Sequence, residues 1–321
     1  TLKDKLIARL PDYAHAASRM PWLLNLRNTV PGARWLGEKV LGLSAKRSLP
    51  AWRSDTFWRT SDASMFASRE QAIAAAREGS KVAVLFVDTF NGNFESENAL
   101  DAARVLKAAG YTLHTVQKDG GHHCCGRTYL AGGMVEEAKA KAGALIDALL
   151  PLAEAGIAIV GLEPSCLLTL RDETLVMGFG AKAQTVAGQA LLFEEFIARE
   201  AKAGRFRLAL KPIDKPILLH GHCHQKAFGA VSPILDVLKL IPDAKPELIE
   251  SSCCGMAGSF GYEASHYEVS MQMAEASLLP VVRKNPDAIV VADGTSCRHQ
   301  IADGTRREAI HVARLLSAQL A

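Results

Sequence analysis

The sequence has no run of apolar residues approaching the roughly 18 that a membrane-spanning helix needs, although 49% of its 321 residues are hydrophobic. Residues 1–20 (TLKDKLIARLPDYAHAASRM) also lack the apolar core of a secretory signal, so the expected compartment is the cytoplasm. Cysteine is sparse and odd in number, seven in all, which makes a disulfide framework a poor expectation and metal or redox chemistry a better one. No recognition motif for nucleic acid accompanies the positive charge, and no nucleic-acid partner is expected.

The net charge of +3 hides an asymmetry. Residues 1–60 hold 11 Lys and Arg against 4 Asp and Glu, so a basic leader precedes a mildly acidic body. All four tryptophans, Trp22, Trp35, Trp52 and Trp58, lie in this segment, cut into short pieces by Pro11, Pro21, Pro31 and Pro50. Such a leader, residues 1–79, is no domain by itself. Its apolar side chains need a surface, either the body of this protein or a partner, with peripheral contact to the inner membrane among the expectations.

From Ser80 onward, apolar strand-like runs alternate with Ala-rich helical stretches, the signature of an α/β fold. Strands are expected at 81–87, 111–116 and 157–162, with helices at 95–109, 135–150 (ended by Pro151) and 184–203. The same order returns with strands at 217–220, 247–250 and 288–292 and helices at 232–240, 266–283 and 306–319. The body therefore reads as an internal duplication, 80–205 and 206–321: two Rossmann-like domains, each a mostly parallel sheet flanked by helices.

The cysteines align the two copies. Cys124-Cys125-Gly126 matches Cys253-Cys254-Gly255, and Cys166 matches Cys297. Each follows an expected strand, and ligands in open α/β sheets collect beyond the carboxyl ends of strands. In the second copy the rim receives Cys223, Cys253, Cys254 and Cys297, a full thiolate set for an iron–sulfur cluster or a zinc ion. Vicinal cysteines have Cα atoms about 3.8 Å apart, too close for an unstrained disulfide, so ligation suits them better. Gly255 lets the backbone approach a cofactor.

The first copy shows Asp88 and Thr89 where the second has Cys223. Its candidates are Cys124, Cys125 and Cys166, with His122, His123 or Asp88 as a fourth zinc ligand; a relic or a substrate-lining pocket is the alternative. His220, His222 and His224 flank Cys223 and, if the segment is extended, point to one side with Cys223 on the other. They tune the centre through hydrogen bonds to sulfur or serve the fold alone. The spacing of Gly255, Gly258 and Gly261 lacks the G-x-G opening of a dinucleotide fingerprint.

At the two CCG sequences the chain resembles the cysteine-rich CCG family, whose members include one subunit each of heterodisulfide reductase, glycolate oxidase (its iron–sulfur subunit) and anaerobic glycerol-3-phosphate dehydrogenase. The stretches CCGRTYLAGGMVEEA (124–138), EPSCLLTLRDE (163–173), LLHGHCHQKA (218–227), SSCCGMAGSFGYEASHYEVS (251–270) and ADGTSCRHQI (292–301) are similar to the C-terminal portion of fused FAD and iron–sulfur D-2-hydroxyacid dehydrogenases, which oxidise D-lactate or D-2-hydroxyglutarate. The resemblance implies Cys223, Cys253, Cys254 and Cys297 as ligands of an iron–sulfur cluster, [4Fe–4S] in type. It implies an electron-transfer module, not catalytic alone, carrying electrons from a partner flavin to a quinone or carrier protein.

Two departures shape that expectation. Thr169 and Gln300 stand where the family places the second Cys of a CxxC pair, which disfavours five-thiolate clusters and disulfide reduction. No C-x₂-C-x₂-C-x₃-C-P run and no FAD domain occur, so the flavin and ferredoxin-like parts are expected on a longer polypeptide or a separate subunit. The rival readings are a zinc-stabilised docking scaffold and a thiol–disulfide redox domain.

Overall fold

The computed structural model describes residues 1–118 and 121–321. It forms two compact units, each assembled from separated stretches of chain: 55–211 with 313–321, and 1–54 with 212–312. Residues 1–54 and 55–79 of the basic leader thus fall in different units.

In the unit built on 55–211, strands β1 (Val82–Phe86), β2 (Thr112–His114), β3 (Ala158–Gly161) and β4 (Ala190–Leu192) form a parallel sheet in the order β2-β1-β3-β4. Every residue of β1 and β3 is buried, because helices such as Ser96–Ala108 and Val135–Glu154 cover the sheet. The other unit repeats the plan with β5 (Ile217–Leu219), β6 (Pro246–Leu248), β7 (Ile289–Val291) and β8 (Ala309–Ile310) in the order β6-β5-β7-β8. The duplication and the α/β class stand as expected. In both sheets the order reverses between the first and third strands, so the loops leaving β1 and β3, or β5 and β7, diverge around a crevice.

The fourth strand of each sheet escaped the sequence pattern. Residues 184–203, expected as one helix, are helix Ala181–Gln189, strand β4 and helix Phe193–Lys202. Ala-Leu-Leu has strong helix propensity, and pairing of Ile159 with Ala190 along β3 overrides it. Likewise β8 pairs with β7 inside the expected helix 306–319, which begins only at Val312. Helix Val135–Glu154 runs through Pro151, where a stop was expected; burial of Leu152 and Ala153 in its last turn compensates the missing hydrogen bond. The expected helix 266–283 is broken at Ser277 into Tyr267–Glu275 and Leu278–Lys284.

The leader is helical over Leu2–Ala8, Leu10–Ala17, Pro21–Leu24, Leu26–Thr29 and Ala33–Leu41. Its anchor is Arg47, fully buried in the second unit. The guanidinium donates to Gln300 Oε1 at 2.7 Å, Asp303 Oδ2 at 3.2 Å and Ser270 Oγ at 3.2 Å, and lies over the Tyr267 ring. Asp303 and the hydrogen-bonded oxygens compensate the buried charge.

Candidate metal centre

The crevice of the second unit is built by three loops. After β5, His222 caps helix Cys223–Ala227, its Nδ1 accepting the His224 N–H at 3.2 Å while Gln225 Oε1 accepts the His222 N–H at 2.9 Å. The cap bends the segment into a helix at Cys223, so the alternation expected for an extended strand ends at His222. Gln225 Nε2 then donates to Asp293 Oδ2 at 3.1 Å, tying the loop after β5 to the loop after β7. That second loop starts helix Thr295–Thr305, which carries Cys297 in its first turn, where unpaired N–H groups favour a thiolate.

The third loop follows β6 and carries Cys253 and Cys254. Gly255 sits at φ +88°, and a Cβ there would lie 2.2 Å from the Ser270 carbonyl oxygen. Only glycine fits. The turn aims backbone N–H groups at sulfur: Gly255 N–H reaches Cys253 Sγ at 3.3 Å, Ala257 N–H also bonds Cys253, and Met256 N–H bonds Cys254. Ala257 takes the left-handed conformation, φ +40°, to make this nest.

Side-chain contacts link the four thiols in a chain, Cys223 to Cys253, Cys253 to Cys254 and Cys254 to Cys297. The Cys254 and Cys297 sulfurs are 3.5 Å apart. The ligand atoms of His220, Cys254 and Cys297 all lie within 4.8 Å of one another. His220 Nδ1 is held by Ser251 Oγ at 2.9 Å, whereas its buried Nε2 has no hydrogen-bond partner.

Ionisation alternates along the chain. Hydrogen bonds from Cys223 and Cys254, aided by the backbone nest, pull Cys253 far below the usual thiol range. The hydrogen bond from Cys254, with His220 and His222 nearby, does the same for the wholly buried Cys297. Cys254 is pushed up by its hydrogen bonds to Cys253 and Cys297, and Cys223 by its bond to Cys253 and by burial. A thiolate at the wholly buried Cys297, beside a second at the half-buried Cys253, is costly without a compensating cation. Together with the unpartnered His220 nitrogen, this donor set fits a soft metal ion or cluster better than it fits an empty core.

The first unit repeats the plan with changes. Gly126 N–H reaches Cys124 Sγ at 3.3 Å, as in the other repeat, and Cys125 contacts both Cys124 and Cys166. Cys166 again lies in the first turn of a helix, Pro164–Thr169. The hydrogen bond from Cys125 favours its thiolate, but burial and the carboxylates of Asp88 and Glu163 prevail and push Cys166 up to about 12. Thr89 opens helix Thr89–Asn93 as Cys223 opens its own, and Asp88 takes the capping place of His222. Asp88 is occupied there, accepting the Phe90 N–H at 2.8 Å, the Asn91 N–H at 3.2 Å and Asn91 Nδ2 at 2.6 Å. His122 Nε2 reaches the Thr89 hydroxyl at 2.8 Å, while His123 is half-buried. The imidazole of His122 thus meets the position that Cys223 fills in the second repeat.

Sequence reasoning placed the thiols but missed Arg47 and the Gln225–Asp293 tie. Gln300, at the family's vacant cysteine position, accepts from Arg47 and donates to the Ser270 carbonyl at 3.0 Å, so it braces the turn that Gly255 packs against.

A duplicated parallel α/β fold with paired cysteine loops at both crevices defines a cysteine-rich domain protein. The family model for the CCG cysteine-rich domain matches residues 88–171 and 218–302, just over half of the chain, and the chain belongs to that family. It is similar to a subunit of the anaerobic glycerol-3-phosphate dehydrogenase of Escherichia coli K12, 26% identical over 305 residues that cover 93% of this chain and 72% of the relative. It is also similar to D-2-hydroxyglutarate dehydrogenase of Escherichia coli K12, 25% identical over 309 residues, and of Pseudomonas putida, 27% identical over 330. Those matches cover 94% and 97% of this chain but 29% of each relative's length.

Proposed function

We propose that the chain is an iron–sulfur electron-transfer module of a flavin-linked dehydrogenase, an oxidoreductase component that is not catalytic alone. The observation that carries this reading is the unbroken chain of contacts from Cys223 through Cys253 and Cys254 to Cys297. Those four residues would hold a [4Fe–4S] cluster, whose contribution when bound is one-electron transfer. The protein's own part is to favour the thiolate form at Cys253 and Cys297, to point the Gly255, Met256 and Ala257 amides at sulfur, and to hold the centre between the loops. Amide donors to sulfur raise the potential of such a centre.

The electrons would come from an FAD-binding domain or subunit that oxidises a D-2-hydroxyacid, with a ferredoxin-like domain beside it, and leave to a quinone or carrier protein. All three named relatives are dehydrogenases, one by name a subunit and the other two much longer chains. The proposed repeats span 80–205 and 206–321. Anaerobically purified protein is expected to be brown, with about four iron and four acid-labile sulfide per chain, and paramagnetic on reduction. Colourless protein holding zinc alone would instead assign the thiols to a scaffold.

A second reading concerns the first repeat. The repeat of the paired-cysteine turn supports a zinc site of Cys124, Cys125, Cys166 and His122, in which His122 would exchange its hydrogen bond to Thr89 or Asn93 for the metal. About one zinc per chain is expected by metal analysis, lost in Cys125→Ser with the iron retained. Zinc-free wild-type protein would return this pocket to a packing role.

A further inference from the structure

The helix Ala33–Leu41 is turned inside out. Its polar residues face the protein: Arg34 Nη2 donates to the Asn28 carbonyl at 3.3 Å, and Glu38 Oε2 accepts the Ala45 N–H at 2.6 Å. Gly37 packs against the Arg27 side chain, whose Nη2 donates to the Ser44 carbonyl at 2.7 Å. At about 100° per residue, Trp35, Leu36, Lys39 and Val40 form the opposite face. They are in solvent, with Trp35 61%, Leu36 57% and Val40 68% exposed. Upstream, Trp22 is 69% exposed beside exposed Met20, Leu23, Leu24 and Leu26. A helix that ends its folding in water shows the reverse arrangement.

The charge pattern selects the occupant. No acidic residue occurs between Asp12 and Glu38; of the basic residues there and just beyond, Arg27 and Arg34 bond to backbone carbonyls, while Arg19 and Lys39 are exposed. Exposed tryptophan and aliphatic side chains, with Lys39 on the same helix face and Glu38 turned inward to Ala45, match the interfacial layer of an anionic bilayer. No helix among the described residues is long and apolar enough to cross a membrane, so the contact is with the surface.

We propose that the leader face carrying Trp35, Leu36, Lys39 and Val40 seats this protein on an anionic lipid surface, with helix Ala33–Leu41 lying in the headgroup layer. The proposal is independent of the metal content. Because these side chains make the exposed face, removing them leaves the packed side of the helix intact.

The test is co-sedimentation of the whole chain with vesicles of phosphatidylcholine mixed with phosphatidylglycerol, compared with phosphatidylcholine alone. Expected results are binding to the anionic vesicles, weakening with salt, and a blue shift of tryptophan emission. The double variant Trp35→Ser, Val40→Ser should bind about tenfold more weakly, and Lys39→Glu roughly fivefold or more, with unchanged circular dichroism and metal content. Equal binding to both vesicle types, or undiminished binding by the double variant, overturns the proposal. So does a dimer that dissociates on the same substitutions while vesicle binding is absent, because a second copy then covers the face.

Discussion

Cys254→Ser is expected to remove essentially all bound iron and sulfide from the second repeat. Cys254 is the middle of the thiol chain, in contact with Cys253 on one side and 3.5 Å from Cys297 on the other. A serine hydroxyl there is similar in size but does not ionise near neutral pH, so one ligand is lost at a buried point in the middle of the set. Cys223, half-exposed and at the end of the chain, should be less critical, and Cys223→Ser is expected to retain a part of the absorbance. Cys124→Ser, in the other repeat, should leave the iron unchanged. Iron, sulfide and visible absorbance measured on anaerobic protein check all three. Wild-type iron and sulfide in Cys254→Ser would falsify the assignment of the centre.

Gly255→Ala is expected to be the most destabilising single methyl that can be added near the site. Two costs combine. A left-handed φ of +88° penalises any L side chain, by about 1–2 kcal/mol. The added Cβ would also lie 2.2 Å from a backbone oxygen, Ser270 O, which has no rotamer to change. Ser270 is itself held, since its carbonyl accepts from Gln300 Nε2 and its hydroxyl from Arg47. The total is expected to reach about 3 kcal/mol or more, which lowers the unfolding midpoint by roughly 6–12 °C for a unit of this size.

Gly229→Ala, in the same unit, separates the two terms. Its φ is +66°, but nothing lies within 4 Å of the added Cβ, so it should show the conformational cost alone. Thermal unfolding followed by circular dichroism compares them. If the two variants melt together, the contact with Ser270 is not what fixes the turn. Gly126→Ala should behave like Gly255→Ala in the other unit, because its Cβ would lie 2.5 Å from Ala138 O at φ +88°.

The correspondence of Gly126 with Gly255 was legible because both follow paired cysteines, and a turn that brings two adjacent sulfurs to one rim has little freedom in its next residue. The correspondence of Thr89 with Cys223 was only half legible. Spacing put Asp88 and Thr89 jointly at that place, and the capping geometry assigns Asp88 to the helix N-terminus and Thr89 to the position of the thiol. Asp88 therefore belongs to the helix cap, where its oxygens are already used. The strands β4 and β8 were hidden because they are short and built from residues that favour helix; what makes them strands is the edge of a neighbouring strand, which local sequence does not encode.

By itself, the sequence determined the duplication, the α/β class and the seven thiols that gather after the strands, since alternating apolar runs and repeated CCG turns are local patterns dictated by side-chain chemistry. Tertiary structure alone decided that Arg47 of the leader braces the turn beside Cys253 and Cys254, that His220 turns a free nitrogen toward Cys254 and Cys297, and that a leader helix shows its apolar face to the outside. Each of these depends on residues far apart in the chain meeting at a set distance, and Arg47 stands 253 positions from Gln300. Packing and charge compensation select such meetings only once the chain has folded.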